Sequence, residues 1–274
     1  MAQGACDGPR GHERRDIAGS TPATPATPPA DAASGEPPHA GGAGAPEGRR
    51  APLAKSVATA AAALRRRFGW QGRAPEGTGP ALVMLSGLPG TGKSSLAAAI
   101  AARHPVAIVR SDEVRKALFK QPAYTPGESG FVYLTCYALL QQLLTDGYSV
   151  IFDATNLRRD GRQRVRRLAA QAGAPTLVVH TVAPAEVVAE RLARRAAGVV
   201  ETYASDAGWE VHERMAAAAE PVSEPALEVD TSKDIGAPLA QIVAFLRRAA
   251  ARTREAAGEG PAPPPDGSPR EEGP

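Results

Sequence analysis

The chain has 274 residues, with 32 basic and 29 acidic side chains and a net charge of +3, a balance too even to argue for nucleic acid by itself. Its two cysteines, Cys6 and Cys136, form neither a metal-binding spacing nor a redox pair, and Cys136 reads as a buried apolar side chain. No apolar run approaches membrane-spanning length and the N-terminus lacks a signal-peptide core, so a cytoplasmic protein with no membrane partner and no obligate protein partner is expected.

Residues 1–52 are dominated by Ala, Pro, Gly and Thr, as in Thr21-Pro22-Ala23-Thr24-Pro25. Such a stretch buries too little apolar surface to offset chain entropy, and it is expected to be a disordered tail; residues 258–274 read the same way. Leu53, Val57, Ala60, Ala61, Leu64 and Phe68 recur at helical spacing, which predicts an amphipathic helix over 53–70, stopped by Gly69 and lying against the domain that follows. Trp70 to Pro80 reads as a linker, and residues 79–250 as one domain with a core.

Ala81-Leu82-Val83-Met84-Leu85 is the first predicted strand. It runs into Gly87-Leu88-Pro89-Gly90-Thr91-Gly92-Lys93-Ser94, which fits G-x-x-x-x-G-K-[ST], the phosphate-binding P-loop. The helix formers from Ser95 to Ala102 complete the strand, loop and helix that this motif requires. Val106 to Val109 is a second strand, followed by a helix capped by Ser111. After a loop over 121–127, a helix is predicted from Ser129 to Thr145. Ser149 to Asp153 is the third strand, Asp160 to Gln171 a basic helix, and Thr176 to Val182 the fourth strand. Pro184 opens the next helix and Gly198 closes it. A helix over 205–219, a fifth strand from Ala226 to Asp230, and a last helix marked by Leu239, Ile242, Val243 and Leu246 complete the domain. This alternation predicts an α/β fold of the P-loop NTPase kind: a five-stranded parallel sheet with helices on both faces. Ligands of such sheets sit at the carboxyl ends of the strands.

The chemistry is therefore sought at those ends. Gly87, Gly90, Thr91, Gly92, Lys93, Ser94 and Ser95 are expected to cradle the phosphates of ATP, because glycines let backbone N–H groups turn inward at a helix N-terminus. Lys93 reaches the β- and γ-phosphates, and the Ser94 hydroxyl holds Mg²⁺. Asp112 and Arg115 lie three apart on one helical face. Asp112 reads either as a base that takes the proton of an attacking hydroxyl, with Arg115 on the acceptor, or as charge complementing the helix N-terminus beside an ordinary ion pair. Asp153 ends the third strand, where a Mg²⁺ ligand would stand, or else it makes an Asx turn. Thr155, Asn156 and Arg158 follow on the same rim as candidate acceptor contacts. Arg191 and Arg195 are four apart, a repulsive spacing that an anionic ligand would reverse, or a solvated basic face; Arg194 is expected to point elsewhere. Arg158, Arg159 and Arg162 open an arginine-rich segment that reads as a solvated helix, or else as contacts to an anionic acceptor beside it. His180 reads as a satisfied core residue, Trp209 and His212 as packing residues, and Tyr203 as a possible stacking partner for a base.

Together the P-loop, Ser111-Asp112-Glu113-Val114-Arg115, Phe152-Asp153-Ala154-Thr155-Asn156 and the arginines of the 186–198 helix resemble the P-loop kinases of the polynucleotide kinase and zeta-toxin group, often labelled an AAA-type ATP-binding family. The resemblance runs from Ala81 to Asp230. It implies a sheet of order two-three-one-four-five, Asp112 as general base, Arg115 on the acceptor side, and Arg191 and Arg195 as lid arginines. The group's Asp-Thr-Asn triplet stands here as Asp153-Ala154-Thr155-Asn156, one residue longer. The pattern also resembles the kinase half found fused to aminoglycoside-phosphotransferase-like domains, including its Ser205-Asp206-Ala207 segment. The expected activity is transfer of the ATP γ-phosphoryl group to a hydroxyl acceptor that already carries a phosphate, such as a nucleic-acid 5′ end or a nucleotide-linked sugar. An ATP-hydrolysing switch module and a polyanion-binding protein are the alternatives. An AAA+ machine is disfavoured, because the third strand lacks the paired acids that activate water.

Overall fold

A computed structural model describes residues 47–198, 207–256 and 258. Tyr203, Ser205, Asp206, Cys6 and most of the two expected tails lie outside the described residues. Five short apolar strands stand at the centre: β1 (Ala81–Ser86), β2 (Ala107–Arg110), β3 (Ser149–Asp153), β4 (Thr176–Val182) and β5 (Ala226–Asp230). They pair in the order β2-β3-β1-β4-β5, every pair parallel, as expected. The helices are α1 (Glu47–Arg67), α2 (Lys93–Ala101), α3 (Ser111–Leu118), α4 (Pro126–Thr145), α5 (Arg159–Gln171), α6 (Ala185–Ala196), α7 (Trp209–Ala218) and α8 (Gly236–Ala256).

Alternate residues of β1 point to opposite faces. Leu82 and Met84 join a core with Phe152, Leu139, Leu143 and Val165, under α4 and α5. Ala81, Val83 and Leu85 join a second core with Leu96, Ile100, Ile242 and Leu246, under α2 and α8. Every residue of β1 and β3 is buried, which is why both read as unbroken apolar runs rather than as alternation. Cys136 lies in the first core as a free thiol, and burial pushes its pKa up.

Helix boundaries depart from the sequence reading where capping overrides periodicity. The first helix begins at Glu47, inside the stretch expected to be disordered. Val57, Ala61 and Leu64 of α1 are buried, whereas Leu53 is 45 % exposed. The fourth helix starts at Pro126 because Thr125 caps it by accepting from the Glu128 amide, an arrangement that proline tolerates in the first turn. Ser111 is the first residue of α3 rather than its cap.

Arg162 is fully buried. Its Nε donates to Glu224 at 2.6 Å, Nη1 to the carbonyls of Asn156 and Leu157, and Nη2 to Pro221 O. It pins the segment between α7 and β5 to the loop after β3, so it is not at hand for an acceptor as the sequence reading held. Removing one partner of a buried ion pair strands the other charge. Arg162→Met should lower stability by about 3–5 kcal/mol and the melting temperature by roughly 10 °C. A shift within 2 °C or so in a thermal melt would show that this knot carries no stability.

Candidate active site

The strand β1 delivers the chain into the P-loop. Gly90 and Gly92 both have φ of +84°, a region open to glycine without Cβ strain. A Cβ on Gly90 would also come within 2.7 Å of Val188. The loop then runs directly into α2, whose first residue is Lys93. Lys93 is 9 % exposed, and its Nζ donates to the carbonyls of Gly87 and Leu88, each at 2.8 Å. Burial pushes its pKa down to about 8; Asp153 and Asp112 oppose that shift and Arg195 adds to it. An ammonium held dry at a helix N-terminus lacks a full counter-charge, which an anionic phosphate supplies.

A cavity of about 440 Å³ opens beside the loop. Lys93, Ser94 and Ser95 line it from α2, Asp112 from α3, and Asp153 and Thr155 from the end of β3. Arg191, Arg194 and Arg195 of α6 line it too. Asp153 is 5 % exposed. Burial pushes its pKa up, against the pull of Lys93, a hydrogen bond with Ser94, and Arg110. Its Oδ2 stands 3.3 Å from Arg110 Nε and has no hydrogen-bond donor among the described residues. A buried carboxylate oxygen short of a donor, beside a serine hydroxyl, is the hard oxygen set that Mg²⁺ accepts, so the residues fit that ion. The Thr155 hydroxyl, at the same wall, is likewise buried without a hydrogen-bond partner among the described residues.

Other expected site residues are engaged elsewhere. Arg115 is 4 % exposed. It donates to Glu128 at 2.6 Å and to Ser129 at 3.2 Å, and its guanidinium lies 4.7 Å from the Tyr124 ring centroid. It ties α3 to α4 rather than lining the cavity. Asn156 is buried with φ of +48° and donates its side-chain amide to Leu85 O, a conformation that suits asparagine in a turn. Arg158 precedes α5, its Nε 3.5 Å from Asp160, also away from the cavity lining. The Thr91 hydroxyl bonds Leu88 O and Thr181 Oγ1 and so braces the loop from within. Gly87 passes under the loop, its amide donating to Thr155 O.

Two readings of the arginines change. Arg194, expected to point elsewhere, lines the cavity with its neighbours; positions i, i+3 and i+4 share one helical face, a signal the sequence held. Arg191 is not free at the rim. Its Nη1 donates to Gly90 O at 3.3 Å and to Thr231 Oγ1 at 2.8 Å, and its Nη2 to Thr231 O at 2.7 Å. Sequence reasoning missed Thr231, Lys233 and Ile235, which close the wall after β5. It also missed the contact of His212 with Pro89 O at 2.8 Å. The His180 ring is half-buried, its Nδ1 has no hydrogen-bond partner among the described residues, and burial pushes its pKa down.

Known proteins resemble parts of this chain. An uncharacterised protein of Mycobacterium tuberculosis is 33 % identical over 129 residues, which is 43 % of this chain and 26 % of that protein; the chain thus spans about a quarter of its length. The adenylyl-sulfate kinase of Myxococcus xanthus is 32 % identical over 114 residues, 40 % of this chain and 62 % of the kinase. The crystal structure of the Mycobacterium tuberculosis APS kinase CysC with AMPPNP and APS superposes with a TM-score of 0.47 at 18 % identity, covering 62 % of this chain and 98 % of that one. The AAA domain family matches residues 82–222, just over half of the chain, from the second residue of β1 to the segment pinned by Arg162; with the P-loop and parallel sheet in place around it, the chain belongs to that family.

Proposed function

We propose that the protein is a kinase that moves the γ-phosphoryl group of ATP to a hydroxyl acceptor, in the manner of the polynucleotide kinase and zeta-toxin group. One observation carries this reading: the Asp112 carboxylate lines the same cavity as Lys93, Ser94 and Asp153. A phosphate grip alone serves any nucleotide-binding protein. A separate carboxylate across the cavity is what transfer to a hydroxyl requires. In this reading the loop amides and Lys93 hold the phosphates, and Arg194 and Arg195 face the charge that develops during transfer. Asp112 takes the acceptor proton. Ser94 and Asp153 would hold Mg²⁺, which when bound neutralises phosphate oxygens. The buried Thr155 hydroxyl orients groups at the acceptor wall.

The acceptor we propose is a hydroxyl on a molecule that already bears an anionic group. Arg115 and Arg162 give this no support, since both are engaged within the fold. Support comes from Arg110, which lines the cavity while also pairing with Glu113 and Asp153, and from the aligned adenylyl-sulfate kinase, whose named acceptor is anionic. The experiment is transfer from radiolabelled ATP to 5′-hydroxyl oligonucleotides, nucleotide sugars, adenylyl sulfate, free sugars and aminoglycosides in parallel. Label should appear on one of the first three. Label on only a neutral or cationic acceptor defeats the acceptor class and leaves the kinase. Hydrolysis of ATP with every acceptor unlabelled replaces the kinase with an ATP-hydrolysing switch.

A further inference from the structure

Three consecutive carbonyls of the P-loop are held from outside, each by a side chain of a different element. Pro89 O takes a hydrogen bond from His212 Nδ1 of α7 at 2.8 Å. Gly90 O takes one from Arg191 of α6 at 3.3 Å. Thr91 O takes one from the Thr231 hydroxyl, just beyond β5, at 2.9 Å. A trans peptide is planar, and its C=O and the following N–H point to opposite sides; no peptide in the described residues is cis. Holding the oxygens of residues 89 and 91 therefore turns the amides of Gly90 and Gly92 the other way, while the Thr91 amide, behind Gly90 O, donates to Leu88 O at 3.3 Å. Gly90 and Gly92 border the cavity, as do Arg191 and Thr231, and the loop meets the N-terminus of α2 there.

The holders are themselves fixed. Arg191 bonds both the hydroxyl and the carbonyl of Thr231, and the Thr231 amide donates to Val182 O at 2.9 Å. His212 is 9 % exposed, and its ring stacks on Trp209 with centroids 5.0 Å apart and planes 10° apart. To serve Pro89 O, its Nδ1 must carry a proton. Without these contacts, glycines on both sides of Thr91 would leave the loop free to turn its carbonyls inward, where they repel phosphate.

We propose that His212, Arg191 and Thr231 are positioning residues that form a clamp on the carbonyl side of the P-loop and so pre-organise its amides for an anion. None of the three need touch the phosphates. Arg191, although it borders the cavity, then acts on the loop through Gly90 and Thr231, and Arg194 and Arg195 are the α6 cations left for the phosphates. This rests on the nucleotide-binding reading, and its test separates the two.

The probe is inorganic tripolyphosphate, titrated calorimetrically into the full chain, with ATP in parallel and a thermal melt of each variant. Thr231→Val keeps the shape and removes the donor; Thr231→Ser restores it. His212→Ala removes the ring; His212→Asn restores an N–H near the Nδ1 position. Thr231→Val and His212→Ala should each weaken tripolyphosphate roughly 3–10-fold, and together by more than either alone. The same factor should appear for ATP, and the Ser and Asn variants should recover most of it. Binding within twofold of wild type in folded Thr231→Val and His212→Ala overturns the clamp. So does a loss that Ser and Asn fail to restore, since packing rather than hydrogen bonding is then at work. A wild-type chain that binds neither tripolyphosphate nor ATP overturns the nucleotide reading and the clamp with it.

Discussion

Lys93→Ala is expected to abolish measurable phosphoryl transfer, a fall of about a thousandfold or more, in a protein that melts as wild type does. Both halves follow from the surroundings of the side chain. Its ammonium is nearly enclosed, and burial disfavours its charge, so removing it relieves a desolvated cation. The two carbonyls it leaves, Gly87 O and Leu88 O, lose one donor each, and the space vacated opens onto the cavity that Lys93 lines. The lost function has no substitute. The guanidinium of Arg191 is anchored to Gly90 and Thr231, and Arg194 and Arg195 approach from α6 rather than from the helix N-terminus. The assay is labelled-phosphate transfer beside a thermal melt. Normal turnover in folded Lys93→Ala protein would defeat the P-loop assignment, and a melt lowered by several degrees would show Lys93 to be a structural strut.

The strands were legible because each carries its signal locally, whereas their order followed from the family resemblance. The runs at 81–85 and 149–153 are apolar throughout because both faces are covered, and parallel pairing needs the helices that the sequence places between them. The P-loop was legible for the same reason: its glycines, lysine and serine act through backbone geometry that consecutive residues set. The misread residues depend on distant partners. Arg115 looks like an acceptor contact until Glu128 and Ser129, one helix away, are seen to take its guanidinium. Arg162 sits in a basic run like its neighbours, and only the fold brings Glu224 and Pro221 to it. Thr231 and His212 reach the loop across long stretches of chain, and neither belongs to a motif. Arg194 is the exception, since helical spacing alone places it beside Arg191 and Arg195.

Asp112→Asn should lower kcat by roughly 10²–10⁴ with a modest change in KM for ATP, because a general base acts chiefly in the transition state. Asp112 and Glu113 both stand in the first turn of α3, where either acid complements the helix N-terminus. The structure separates them. Glu113 takes a hydrogen bond from Arg110 at 2.8 Å, while Asp112 lines the cavity with Lys93 and Asp153. Asparagine keeps the size and hydrogen-bonding capacity of the side chain and removes only its basicity and charge. The loss should therefore fall on the chemical step and spare the fold. Asp112 also draws the Lys93 pKa upward, so a small weakening of ATP binding is expected as well. The acceptor that labels in the transfer screen is the one to use, with single-turnover rates separating chemistry from product release. A further readout is the acidity of the acceptor: a more acidic hydroxyl needs less help from a base, so the defect should shrink along a series of such acceptors. A lower melting temperature with kcat preserved would return Asp112 to the role of a helix-terminal charge. The transfer reading would then need another group near the acceptor, and the Thr155 hydroxyl would be the next to replace.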